Sequence, residues 1–128
     1  MKGSCLCGAV EYEIDQLDMP ISHCHCNTCR KAHAAIFAST AGVKRELSGE
    51  EKLTTFESSP GKLRYFCSVC GAHLVAERPA QPHVIVRVAT LDEDPNCKPA
   101  MHIWCSHDVP WLQDKQGTPS YEEWQPSK

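Results

Sequence analysis

The sequence predicts a small all-β domain. Three stretches alternate apolar and polar residues with period two, turn residues separate them, and nothing between residues 1 and 91 has a convincing helical period. A chain of 128 residues is one domain's worth, enough for a single modest core. No internal repeat, low-complexity tract or linker divides it, so residues 1–128 read as one domain.

Taken in order, GSCLCG (3–8) opens the chain with a glycine-flanked turn. AVEYEI (9–14) sets Val10, Tyr12 and Ile14 against Glu11 and Glu13, the pattern of a half-buried strand. Asp15 to Pro20 reads as a turn, and a cysteine cluster begins just beyond it. AAIFAST (34–40) is small and apolar and reads as a strand, with short strands expected near 43–47 and 52–57. Ser58-Ser59-Pro60-Gly61 marks a loop. KLRYFC (62–67) runs into a cysteine knuckle, and AHLVAE (72–77) leaves it as the partner strand of a hairpin. After a Pro-bearing connection over 78–82, HVIVRVATL (83–91) is the strongest strand signal, with Val84, Val86 and Val88 on one face and Ile85 on the other. An acidic loop leads to MHIWC (101–105), a late strand, and the tail carries Trp111 and Trp124 among prolines and polar residues.

The formal net charge of −3, without a basic tail or a long like-charge run, argues against nucleic acid as a partner, because phosphate binding needs clustered Lys and Arg. Apolar runs fall far short of the roughly 20 residues of a membrane span. Residues 1–20 have no apolar h-region, so no signal peptide is expected and a cytoplasmic location follows. The oligomeric state has no signature in the sequence.

Nine cysteines dominate the chemistry. In a reducing compartment, clustered cysteines serve as metal ligands more often than as disulfides. They fall as Cys5-x-Cys7, Cys24-x-Cys26-x-x-Cys29 and Cys67-x-x-Cys70, with Cys97 and Cys105 isolated and simplest as free thiols. Cys67-x-x-Cys70-Gly71 is a knuckle that lets two sulfurs bite one metal, and Cys5-x-Cys7-Gly8 is a second bidentate unit. Two such pairs brought together make a closed four-cysteine zinc site. Cys24, Cys26 and Cys29 can aim three sulfurs at another metal. The residues leave two forms of that second site open. It is closed if His23, His25, His33 or a remote residue supplies the fourth ligand, and open to a substrate if none does.

GSCLCGAVEYEI, CHCNTCRKAHAAIFAS, FCSVCGAHL, VRVATLD and MHIW with Pro110-Trp111 together resemble the glutathione-dependent formaldehyde-activating enzyme (GFA) family, to which the domain of centromere protein V also belongs. The resemblance spans about residues 3–112 and leaves 113–128 as a C-terminal tail. It implies a β-tent fold, related to that of methionine sulfoxide reductase B, with two zinc ions per chain. By position, Cys5, Cys7, Cys67 and Cys70 resemble the structural site, and Cys24, Cys26 and Cys29 the site of thiol chemistry. Ala34 stands where the family often has glycine, and no long insertion offers a dedicated glutathione pocket.

Three thiolates on Zn²⁺ carry net charge −1, and a zinc-held thiol is deprotonated near neutral pH. The activity expected is that of a carbon–sulfur lyase, forming or cleaving an S-hydroxymethyl adduct between a thiol such as glutathione and a small aldehyde such as formaldehyde. His102 and His25 are the candidate proton carriers, each with the alternative of a buried histidine bonded to backbone. Arg30 and Lys31 can meet the substrate's carboxylates or compensate an anionic zinc site. Trp104 and Trp111 can line a pocket or fill the core. Two other readings stand beside the lyase. One is a non-enzymatic zinc domain for protein contacts. The other is a methionine sulfoxide reductase B-like enzyme, which uses two C-x-x-C pairs and leaves the three-cysteine cluster without a role.

Overall fold

Alternation in the sequence becomes alternation in burial. Val10, Tyr12 and Ile14 are buried while Glu11 and Glu13 are exposed, and Val84 and Val86 are buried with Ile85 half-buried between them. The computed structural model describes residues 1–44, 51–111, 118–119 and 121–123. Its elements are β1 (Lys2–Ser4), β2 (Glu11–Glu13), β3 (Ser22–Cys24), α1 (Asn27–His33), β4 (Ala38–Lys44), β5 (Leu53–Ser59), β6 (Lys62–Cys67), β7 (His73–Glu77), β8 (His83–Arg87) and β9 (Met101–Ile103). The all-β expectation holds, with one short α-helix and two 3-10 turns, at Val88–Thr90 and Cys105–His107, added among the described residues. No helix among the described residues is long and apolar enough to cross a membrane.

β1 and β2 form an antiparallel pair in which Gly3 faces Tyr12. A Cβ on Gly3 would collide with the Tyr12 ring, whose hydroxyl hydrogen-bonds Thr90 Oγ1 at 2.6 Å. The remaining strands make one sheet in the order β5-β6-β7-β8-β4-β3-β9. All neighbours in it are antiparallel except β3 and β9, which run parallel with His23 beside His102. The predicted hairpin around the knuckle is β6–β7. The loop predicted over 58–61 narrows to Pro60-Gly61, because a bulge between Glu57 and Ser59 carries β5 further than its alternation suggests. The strand expected near 43–47 is the end of β4, which runs to Lys44; positions 45–47 and Trp124 lie outside the described residues.

The sheet separates two environments. Val43, Leu74, Val84 and Val86 join Val10, Tyr12 and Ile14 in the main core. Ser22, Cys24, Thr40, Ile85 and Arg87 line a cavity instead. On β8 the two sets alternate residue by residue, which is what a period of two requires of a strand wet on one side. Burying Val84 and Val86 contributes about 1.5–3 kcal/mol each and pins this register.

The segment 34–40 departs from its sequence reading. α1 occupies Asn27–His33, and only at Ala38 does β4 begin. Cys26 caps the helix by accepting the backbone N–H of Cys29 at its Sγ, 3.2 Å away. Arg30, Lys31 and His33 lie in the last turn, where the helix dipole favours positive charge. The helix ends at Ala34, whose φ of 50° and ψ of 46° are left-handed and whose N–H bonds the Arg30 carbonyl. Glycine suits this C-terminal position because it has no Cβ to strain. Ala34→Gly is therefore expected to stabilise the chain by about 1 kcal/mol, read as a higher urea midpoint at unchanged slope.

Candidate metal centres and an adjoining cavity

Two groups of cysteines converge among the described residues. Each offers sulfurs that all lie within 4.8 Å of one another: Cys5, Cys7, Cys67 and Cys70 in the first, Cys24, Cys26 and Cys29 in the second.

The first group joins the turn after β1 to the knuckle between β6 and β7. Cys5 Sγ lies 3.7 Å from Cys7 Sγ, and Cys7 Sγ lies 3.8 Å from Cys67 Sγ. Zinc–sulfur bonds of about 2.3 Å at tetrahedral angles put sulfurs about 3.8 Å apart, so the spacing fits a four-thiolate metal. Backbone groups are already turned towards the sulfurs. Val10 N–H donates to Cys5 Sγ at 3.3 Å, and the N–H groups of Val69 and Cys70 donate to Cys67 Sγ at 3.3 and 3.4 Å. Gly71, with φ of +80°, supplies the left-handed residue that turns the knuckle back into β7.

The second group sits where β3 meets α1. β3 delivers Cys24, the helix cap is Cys26, and Cys29 is buried in the first turn. Among the described residues no histidine or carboxylate joins this trio within 4.8 Å, so His23, His25 and His33 do not complete it. Three soft donors so gathered fit zinc as well as the first group does.

The trio's electrostatics come from arginines on two strands. Arg64 on β6 is 4% exposed and directs Nη1 and Nη2 at Cys29 Sγ from 4.0 and 3.9 Å, while its Nε donates to Ser58 Oγ at 2.9 Å. Arg87, 6% exposed, ends β8 on the same side. Burial alone would push the Cys29 thiol up, but the hydrogen bond from Cys26 and the Arg87 charge, helped by Cys24 and Arg64, hold it below the usual thiol value. Burial, with the charge of Cys29 among the lesser causes, pushes Cys24 up to about 12. With Cys29 held down and Cys24 pushed up, ionising both calls for a cation at the trio's centre.

A cavity of about 410 Å³ opens beside these sulfurs. Lys62, Arg64, Arg78 and Arg87 line it, as do Trp104 and His107 from the segment after β9. His107 Nδ1 accepts the backbone N–H of Asn27 at 3.2 Å, which puts the proton of a neutral ring on Nε2. Trp104 is held at a left-handed φ of 59°.

The histidines and cations nominated from the sequence take other places. His25 is 3% exposed; its Nε2 lies 2.8 Å from His102 Nδ1 and its Nδ1 pairs with Asp108 Oδ1. Neither His25 nor His102 lines the cavity. Arg30 and Lys31 line a separate hollow of about 260 Å³ with Ala34, Ile36 and Trp111. Trp104 and Trp111 are 57% and 65% exposed and line cavities rather than filling the core. Cys97 and Cys105 are exposed free thiols. Arg64, Arg87, Lys62 and His107 went unnoticed in the sequence. The signal for the arginines was a cation at alternating positions of strands otherwise apolar.

His33, at the end of α1, lies 4.8 Å from His73, ring to ring. Burial, then the charges of Arg87, His73 and Arg64, push His33 down to about 3, from an ordinary 6.5. Between these values the unfolded chain takes up a proton that the folded chain refuses, so stability falls as pH drops. His33→Gln removes that dependence. Relative to the variant, the wild type is expected to lose stability progressively from pH 6.5 towards about 3, as measured by denaturant unfolding at matched pH.

The GFA family model, described as glutathione-dependent formaldehyde-activating enzyme, matches residues 1–107. The chain belongs to the GFA family. A relative in Halomonas elongata, named for glutathione-dependent formaldehyde activation, is 28% identical over 126 residues, 88% of this chain and 80% of that protein. An uncharacterized lyase of Schizosaccharomyces pombe is 34% identical over 74 residues, 57% of this chain and 54% of that one. A crystal structure of a Rhodobacter sphaeroides protein superposes with a TM-score of 0.63 at 28% identity, covering 80% of this chain and 99% of that one. The GFA match extends across both cysteine groups and includes Arg64, Arg87 and His107.

Proposed function

We propose that this GFA-family chain is a zinc-dependent carbon–sulfur lyase that forms or cleaves an S-hydroxymethyl adduct between a small thiol, with glutathione as the model, and formaldehyde or a related aldehyde. The observation that carries the reading is the trio Cys24, Cys26 and Cys29, three donors without a fourth among the described residues, beside a cavity of about 410 Å³. The family match and a lyase-named relative support it. In this reading Cys5, Cys7, Cys67 and Cys70 hold a structural zinc and the trio holds a second. When bound there, zinc supplies Lewis acidity and stabilises a substrate thiol as thiolate near neutral pH.

The chain's own residues do the rest. In the forward direction sulfur bonds to the aldehyde carbon, the carbon–oxygen π bond opens, and the thiol's proton ends on oxygen. Arg64 and Arg87 offset the thiolate charge beside the trio. His107, with Nδ1 occupied by Asn27 and Nε2 carrying the proton, is the proton carrier best placed at the cavity. His25 and His102 remain less direct candidates, since they bond each other and Asp108 instead of lining it. Thiolate ligands need a reducing compartment, in keeping with the cytoplasm.

The test is to mix reduced, zinc-loaded protein with glutathione and formaldehyde and follow exchange between free thiol and adduct by NMR. Faster exchange than in the protein-free mixture is expected. Two zincs with an unchanged rate would leave a zinc domain for protein contacts, and reduction of methionine sulfoxide would point to the reductase instead.

A further inference from the structure

The cavity beside the trio is far more positive than the metal site needs. Three thiolates and a divalent zinc sum to minus one. Against that single negative charge the lining brings Lys62, Arg64, Arg78 and Arg87, and among the described residues it includes no aspartate or glutamate. Arg64 is committed to Cys29 and Ser58. Arg87 is only partly engaged: it feels the charge of the trio's sulfurs, yet it is nine-tenths buried, it lines the cavity, and its Nε has no hydrogen-bond partner among the described residues. A guanidinium held out of water with an unused donor is costly unless an anion meets it. The crowding registers on Lys62, whose pKa falls through burial first and then through the charges of Arg87, Arg64 and Arg78. Ser22, Ser59 and Thr40 add neutral hydroxyls to the same lining.

We propose that this cavity selects thiols bearing carboxylate groups, with Arg87 as the residue that reads a carboxylate and Lys62 and Arg78 completing an anion-binding wall. The inference rests on reading the trio as a thiol-handling site, and it moves carboxylate recognition from Arg30 and Lys31 to strands β6 and β8 and the turn between β7 and β8. A volume of about 410 Å³ suits a ligand of di- or tripeptide size. The planar fork of Arg87 fits a carboxylate in two-point contact, which a lysine ammonium cannot reproduce.

The experiment compares glutathione with its dimethyl ester, which keeps the thiol and blocks both carboxylates. Binding to the zinc-loaded full chain is measured by calorimetry without aldehyde. The free acid is expected to bind about tenfold more tightly or better, and added salt should erode that preference. Arg87→Gln should remove most of it, and Arg87→Lys should restore part, with zinc content and thermal midpoint recorded for each variant. Equal binding of acid and ester by the wild type, which needs no variant to fold, would overturn the proposal. So would an undiminished preference in Arg87→Gln with both zincs retained. Discrimination without any acceleration of adduct exchange would support the anion-binding wall while removing the lyase reading. Acceleration without discrimination would do the reverse.

Discussion

Cys67→Ser is expected to leave the chain unfolded, not merely short of a metal. Cys67 is completely buried, belongs to the main core, and lies 3.8 Å from Cys7 Sγ. Serine is close to isosteric, so packing alone would cost little. The loss is expected from the metal proposed at this site. Apparent binding of a structural zinc is worth about 10–16 kcal/mol, against a net stability of about 5–15 kcal/mol for a typical domain. The four sulfurs also join the first turn of the chain to a hairpin some sixty residues away, so losing one weakens the link between β1–β2 and the main sheet. Far-UV circular dichroism and zinc content after purification in reducing buffer would check this. Cys97→Ser, at an exposed free thiol, is the control and should stay within about 0.5 kcal/mol of wild type.

Cys29→Ser should separate function from folding. The trio belongs to a small satellite cluster with Ala38, Ile103 and its own sulfurs, away from the main core. Its loss is expected to leave the sheet intact and one zinc per chain in place of two. Arg64 loses the sulfur that its Nη1 and Nη2 address, an effect of about 1–3 kcal/mol for a buried charged group. Adduct exchange between glutathione and formaldehyde should fall by about a hundredfold or more, since a catalytic metal contributes several kcal/mol to the barrier. A folded Cys29→Ser chain that still accelerates exchange as wild type does would place the chemistry elsewhere.

The two cysteine groups were legible in the sequence because chelation by a turn would demand closeness along the chain. C-x-C and C-x-x-C hold two sulfurs near one point almost regardless of what surrounds them. β6, β7 and β8, five or six residues each, were legible too, whereas β4, seven residues long, was read in the wrong place because the helix before it was not seen. β1 and β3 are three residues each, too short for a period to show. The helix was hidden for three reasons. It spans only two turns, it buries Cys29 alone, and it is bounded by cysteine and alanine where Ser, Thr, Asp or Asn and then glycine would be the usual markers.

That hidden helix explains the displaced cations. Arg30 and Lys31 follow Cys29 directly, but each helical residue turns by about 100°, which carries them to the hollow near Trp111. The cations beside the trio come from β6 and β8, dozens of residues away. A lone arginine in KLRYFC or HVIVR looks the same in sequence whether it faces solvent or a buried thiolate. Only the sheet order, which sets β6 and β8 on either side of β7, brings Arg64 and Arg87 to one cavity.

Zinc K-edge X-ray absorption on the reduced, zinc-loaded chain, recorded before and after adding glutathione, tests the central claim most directly. If Cys24, Cys26 and Cys29 hold a metal that a substrate thiol can reach, the mean number of sulfurs around zinc rises on addition, and it does not rise in Cys29→Ser. A sulfur count that stays constant in the wild type at saturating glutathione would contradict the account and make both metals structural.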